Sequence, residues 1–208
     1  MKKTLITIFV FVSTFTTAQT EEIDSLKLNE SVKLISIGTK IGMPNLISLN
    51  GEITIPFLNN HFAPYIDYGA FNLEINDVES NLNYTEYGIN FYFSNKGKGF
   101  YASVAKAQLG SEFTFKNLTF EENGIKEIGS AKTNLDINTL NLKLGLKTGG
   151  SFYFKFEIGY GIGSIPDSID FTAISNGITE SFSEDVPTIP GLSSGGLLIS
   201  NFGFGLSF

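Results

Sequence analysis

The 208-residue chain has no cysteine, no arginine and one histidine. Without cysteine there is no disulfide framework, no thiolate metal site and no lipidated cysteine, so the fold rests on packing and backbone hydrogen bonds. Without arginine all positive charge is lysine, and the net charge is −7. An acidic chain lacking an arginine cluster argues against nucleic-acid binding, whose affinity comes largely from neutralising phosphates. The single histidine, His61 in the turn Asn59-Asn60-His61-Phe62, reads as an ordinary turn residue. Most catalytic constellations are thus excluded by composition, and no enzyme activity, cofactor or metal is expected.

Long apolar runs are also absent. The longest, Leu5 to Phe15, follows Lys2 and Lys3 and precedes Thr16 and Ala18. It is too short for a helix crossing a bilayer ~30 Å thick, and it has the layout of a secretory signal over residues 1–18. Removing it leaves a chain starting at Gln19, with a tail over 19–31 and one domain over 32–208.

From Val32 onward apolar residues recur at every second position, in runs of about ten separated by Gly, Asn, Pro and Ser, which is the period of a strand. The pattern predicts eight strands, at 33–42, 46–57, 63–74, 84–94, 100–115, 134–147, 151–163 and 197–208. Short turns at 58–62, 95–99 and 148–150 alternate with longer connections at 75–83, 116–133 and 164–196, the first outer connection at Met43-Pro44-Asn45 being tight. An even strand count with this asymmetry predicts an all-β fold, an eight-stranded antiparallel up-and-down transmembrane β-barrel with both ends on the periplasmic side.

Alternation alone does not say which face meets water, because a soluble barrel with an apolar interior gives the same pattern reversed. Glycines break the tie. Gly88, Gly145, Gly159, Gly161, Gly163, Gly203 and Gly205 all fall on the polar face. On a solvated exterior they only weaken strands, whereas inside a narrow barrel they relieve crowding. The opposite faces, such as Leu140, Leu142, Leu144 and Leu146, carry no charge and suit lipid. Facing is ambiguous in the third and fifth strands, where Tyr65 and Phe71, or Ala102 and Val104, fit either side. Phe57, Phe93, Phe100, Tyr101, Phe152 and Phe208 near the periplasmic ends, and Phe113, Phe115 and Tyr160 near the outer ends, are candidates for interfacial girdles.

The polar faces assign inward Lys40, Glu52, Asp67, Glu86, Lys106, Lys143, Lys147, Lys155 and Glu157. Buried charges of near-balanced sign in a barrel just wide enough for its side chains predict a paired network and a plugged lumen. The segment 164–196 carries five acids and no lysine, with Pro166, Pro187 and Pro190 opposing regular structure. It reads as a solvated acidic loop, with a divalent-cation site as the alternative.

The Ala18-Gln19 junction, the hairpin Gly38-Thr39-Lys40-Ile41-Gly42-Met43-Pro44-Asn45-Leu46, the segment Ala63-Pro64-Tyr65-Ile66-Asp67-Tyr68 and the terminal Asn201-Phe202-Gly203-Phe204-Gly205-Leu206-Ser207-Phe208 together resemble the outer-membrane β-barrel proteins of Bacteroidota, in their small eight-stranded form. The resemblance covers nearly all of the mature chain. It implies outer-membrane lipid as the surroundings, and it implies that Phe202, Phe204 and Phe208 form the C-terminal signal read by the barrel-assembly machinery. Asp24-Ser25-Leu26 and Asp167-Ser168-Ile169 resemble the O-glycosylation motif of exported proteins in that group, at Ser25 and Ser168. The resemblance implies a location better than an activity: a non-enzymatic barrel with an envelope-structural or surface-interaction role and an unspecified surface partner. A soluble lipocalin-like barrel for an apolar ligand and a small-solute porin are the alternatives.

Overall fold

A computed structural model describes residues 32–122, 125–175, 178–185 and 191–208. The expected signal peptide, the tail 19–31 and Ser25 lie outside the described residues. Eleven strands follow in chain order: β1 (Ile35–Met43), β2 (Leu46–Ile53), β3 (Phe62–Ile75), β4 (Val78–Tyr92), β5 (Gly99–Glu122), β6 (Ile125–Lys147), β7 (Phe152–Ile162), β8 (Ser168–Ser175), β9 (Ile178–Asp185), β10 (Leu192–Ser193) and β11 (Gly196–Ser207). One 3-10 turn, Pro56–Leu58, joins β2 to β3.

Strands β1 to β7 pair antiparallel with their sequence neighbours, and β11 pairs with both β7 and β1. That closes an eight-stranded up-and-down barrel. At the seam Phe208 N–H donates to Ile35 O at 2.8 Å and Leu34 N–H donates to Phe208 O at 2.7 Å, so the last residue is tied into the wall.

Side-chain burial follows the two-residue period wherever the sequence alternates. Along β7, Tyr153, Lys155 and Glu157 are buried while Phe152, Phe154, Phe156 and Ile158 are exposed. The polar face is therefore the inner one. At six of the seven inward glycines an added Cβ would come within 2.5 Å of a neighbour, Gly203 being the exception at 3.2 Å. At Gly145 it would run into the Tyr101 ring, and at Gly205 into the backbone of Gly38 and the Tyr153 hydroxyl. By contrast Gly51 faces outward, with nothing nearer than 3.8 Å to an added Cβ.

The eight barrel strands are those the periodicity predicts, but the outer connections differ. The expected loops at 75–83 and 116–133 are instead tall hairpins, with β3 and β4 paired up to Ile75 and Val78 and β5 and β6 up to Glu122 and Ile125. Asparagines make this possible: Asn76 takes φ 54° in the two-residue turn, and Asn117 takes φ 56° where the β5–β6 register shifts. Asparagine tolerates that left-handed conformation better than most residues. The segment 164–196 contains the hairpin β8–β9, which pairs with β6 above the barrel. Pro166 precedes β8 and does not interrupt it, and Phe171 packs against Phe115 at 5.8 Å and Phe182 at 5.2 Å.

Candidate functional site: the barrel interior

Alternation on β3 turns Ala63, Tyr65 and Asp67 inward, and on β5 it turns Tyr101, Ser103, Ala105 and Ala107 inward. Two sequence expectations change as a result. Lys106, between the two inward alanines, points outward and is exposed. It pairs in register with Tyr87 and Leu140. The inward face of its strand carries Tyr101, Ser103 and Ser111, but the small Ala105 and Ala107 on either side of Lys106 leave its own direction undecided in the sequence. Tyr101, expected in the lower girdle, is fully buried and donates to Glu157 Oε1 at 2.8 Å.

The other eight charges converge inside, four lysines and four acids, each at most 3% exposed. In the half nearer the short turns Glu52 is the hub. Lys147 Nζ lies 2.6 Å and Lys155 Nζ 2.7 Å from its two oxygens. Asn90 donates to it at 2.6 Å and Tyr92 at 2.8 Å. Lys147 also donates to Ser36 at 2.7 Å, beside the seam pair Ser36–Ser207. Higher up, Lys40 joins Asp67 at 2.7 Å to Glu157 at 2.9 Å. Lys143 joins Glu86 to Glu157, the latter at 3.3 Å. Glu86 accepts further hydrogen bonds from Tyr65 at 2.7 Å, Tyr84 at 2.8 Å and Asn141.

The tyrosines and asparagines of this network were not singled out from sequence. Their signal was present: Tyr92, Tyr101 and Tyr153 occupy the inward register that also holds Lys147 and Lys155. Their rings also face the ammonium groups. Lys40 and Lys143 each lie 4.9 Å from the Tyr65 centroid, and Lys147 lies 4.9 Å from that of Tyr153. Buried charges persist only when paired and hydrogen-bonded, and each of these eight has at least one opposite charge.

Above the charges the interior turns apolar. Ile137, Ile165, Leu197 and Ile199 are buried together, with Leu109, Leu135 and Leu192 packed against them. Beyond the barrel mouth, the tall hairpins carry Lys116 between Glu74 at 3.1 Å and Glu79. Hydrogen bonds to Glu79 and Glu74 hold its ammonium above the ordinary lysine value.

Ser168 is exposed at the start of β8, opposite Asp185. Phe202, Phe204 and Phe208 all face outward. His61 lies in the turn before β3, its Nδ1 2.6 Å from Tyr92 O and its ring stacked on Phe91. Among the described residues no cluster of three His, Asp or Glu side chains is arranged to hold a metal ion. Each of the four interior acids faces a lysine, so the paired charges tie strands on different sides of the barrel to one another.

No known protein family matches the sequence, and no curated protein does. Among solved structures the chain is similar to the crystal structure of Acinetobacter baumannii CarO2, at 11% sequence identity and a TM-score of 0.47, the match covering 86% of this chain and 100% of that one.

Proposed function

We propose that this protein is a non-enzymatic outer-membrane barrel, its lumen plugged by paired polar side chains, with an envelope-structural or surface-interaction role. One observation carries the reading: the outside of the closed barrel is apolar and the inside is charged. Leu142, Leu144, Phe154, Phe156, Ile158, Phe202 and Phe204 form a continuous outward band, each between 38% and 60% exposed. Soluble monomers rarely expose contiguous apolar patches beyond a few hundred Å². At the short-turn end Phe57, Phe93, Phe100, Phe152 and Phe208 stand outward as an aromatic ring, as expected where a barrel meets a membrane interface. At the other end Lys106, level with Tyr87 and Leu140, marks where the apolar band stops.

The charged interior disfavours the lipocalin-like alternative, whose ligand needs an apolar cavity through the barrel. Mutual pairing of four lysines with four acids disfavours a porin, because charges that line a channel are solvated and not spent on one another. Leu34, near the start of the described residues, and Phe208 lie with the short turns, which on this reading face the periplasm. Phe202, Phe204 and Phe208 then serve as the assembly signal, and Ser25 and Ser168 as glycosylation sites. Above the outer rim Glu74, Asp77, Glu79, Asp136, Asp167, Asp170, Glu184 and Asp185 stand against Lys116 and Lys132, so a surface partner would meet an acidic face.

Cell fractionation tests the location. Detergent-dependent extraction with heat-modifiable gel mobility is the expected result, and recovery in a soluble fraction would overturn it. Planar-bilayer recording tests the plug: rare, small events are expected, and large, stable, ohmic openings would promote the porin alternative.

A further inference from the structure

The barrel wall is uneven. Strand β1 ends at Met43 and β2 starts at Leu46, while β3, next to β2, continues seven residues past its last partner pair, Leu49 with Tyr68. Behind this low wall lies a cavity of about 120 Å³. Leu109, Ile137 and Leu197 line it from within, and Met43 and Leu198, both about half exposed on the outer face, line it from the lipid side. Pro44, Gly191 and Leu192 complete the lining. The cavity therefore joins the apolar band outside to the apolar cluster above the charge network.

We propose that this cavity is a binding site for the end of an unbranched alkyl chain, which enters over the β1–β2 wall. The lining side chains offer no donor, acceptor or charge, so a polar ligand would lose its water without recompense. An enclosed apolar cavity of ~150 Å³ accepts benzene, so a chain end of about four carbons fits this smaller, outward-open space. The rest of the chain and any head group would remain outside, past Met43. Two sources share this chemistry, an acyl chain of a membrane lipid and a free amphiphile, and only the route through lipid rests on the membrane reading.

Met43 is the sole methionine besides Met1, which makes its methyl group a single-site probe. The barrel is placed in nanodiscs of chain-deuterated phosphatidylcholine with [methyl-13C]methionine and labelled Leu and Ile methyls, and 1-octanol is added. The proposal expects a saturable shift of the Met43 methyl and NOEs from octanol chain protons to the inward methyls of Leu109 and Ile137. Ile137→Phe, which fills the cavity, should abolish the saturable shift, while Leu142→Phe on the lipid face should leave it. If that variant does not fold, the NOEs in the unsubstituted protein decide alone. Swapping to protonated lipid without octanol identifies the source: NOEs to Leu109 and Ile137 then come from lipid chains, and the site stands with lipid as its occupant. No NOE to either residue from either source, or a shift that grows linearly with octanol, overturns the proposal. A protein that stays out of the discs contradicts the membrane reading instead, and the octanol arm is then run in buffer.

Discussion

Glu52 on β2 and Lys155 on β7 are 103 residues apart in sequence and 2.7 Å apart inside the barrel. The pair spans the lumen, and Glu52 also holds Lys147. Replacing it by glutamine leaves two buried lysines facing a neutral group. Breaking a buried pair from one side typically costs ~3–5 kcal/mol, so Glu52→Gln should lower the urea midpoint of the folded barrel strongly. Lys155→Met should cost less, since Glu52 keeps Lys147. Equal and small effects from both substitutions would mean that the lumen is hydrated and the pairs are solvent-screened.

Glycines on the two faces should respond in opposite directions. Gly145→Ala places a methyl group into the Tyr101 ring, an overpacking that typically costs ~1–3 kcal/mol. Gly51→Ala on the outer face makes only an ordinary van der Waals contact with Ile66 at 3.8 Å and removes unfolded-state freedom, so a gain of ~0.4–1 kcal/mol is expected. Urea unfolding of both variants checks the signs, and a tolerated Gly145→Ala would contradict the crowding account of the inner face.

Much of this was legible in the residues themselves. The run Phe152-Tyr153-Phe154-Lys155-Phe156-Glu157 states its two faces without help, and the inward glycines state which face is inside. Lys106 turns outward against the expectation because its neighbours Ala105 and Ala107 are small and apolar, so parity on β5 depends on Tyr101, Ser103 and Ser111, whose direction only the register settles. The hairpin β8–β9 was hidden by acids and prolines, although Ile169, Phe171 and Ala173 already alternate. Partner choice was beyond reach from sequence. That Glu52 takes Lys147 and Lys155 while Lys40 takes Asp67 and Glu157 follows from the strand stagger, which no local pattern encodes. The apolar cluster around Ile137 escaped for a similar reason, since its members come from β6, β11 and the connections above the mouth.

A charge moved onto the outer band should report its depth. Leu144 is 60% exposed in the middle of the apolar face of β6. In a bilayer Leu144→Lys should cost ~2–4 kcal/mol, whereas Lys106→Leu at the edge of the band should change stability by about 0–1 kcal/mol. Folding titrations into lipid vesicles measure both. A neutral Leu144→Lys would show that this face meets water.

The central claim is that the barrel wears its apolar face towards lipid and its charges inside. The most direct measurement is paramagnetic broadening of methyl resonances in nanodiscs containing lipid with a nitroxide at the acyl-chain end. The account predicts strong broadening at the outward Leu142, Leu144 and Ile158, with the inward Ala105 and Ile199 spared. Equal broadening of both sets, or none at Leu144 in a protein that co-purifies with the discs, would contradict it.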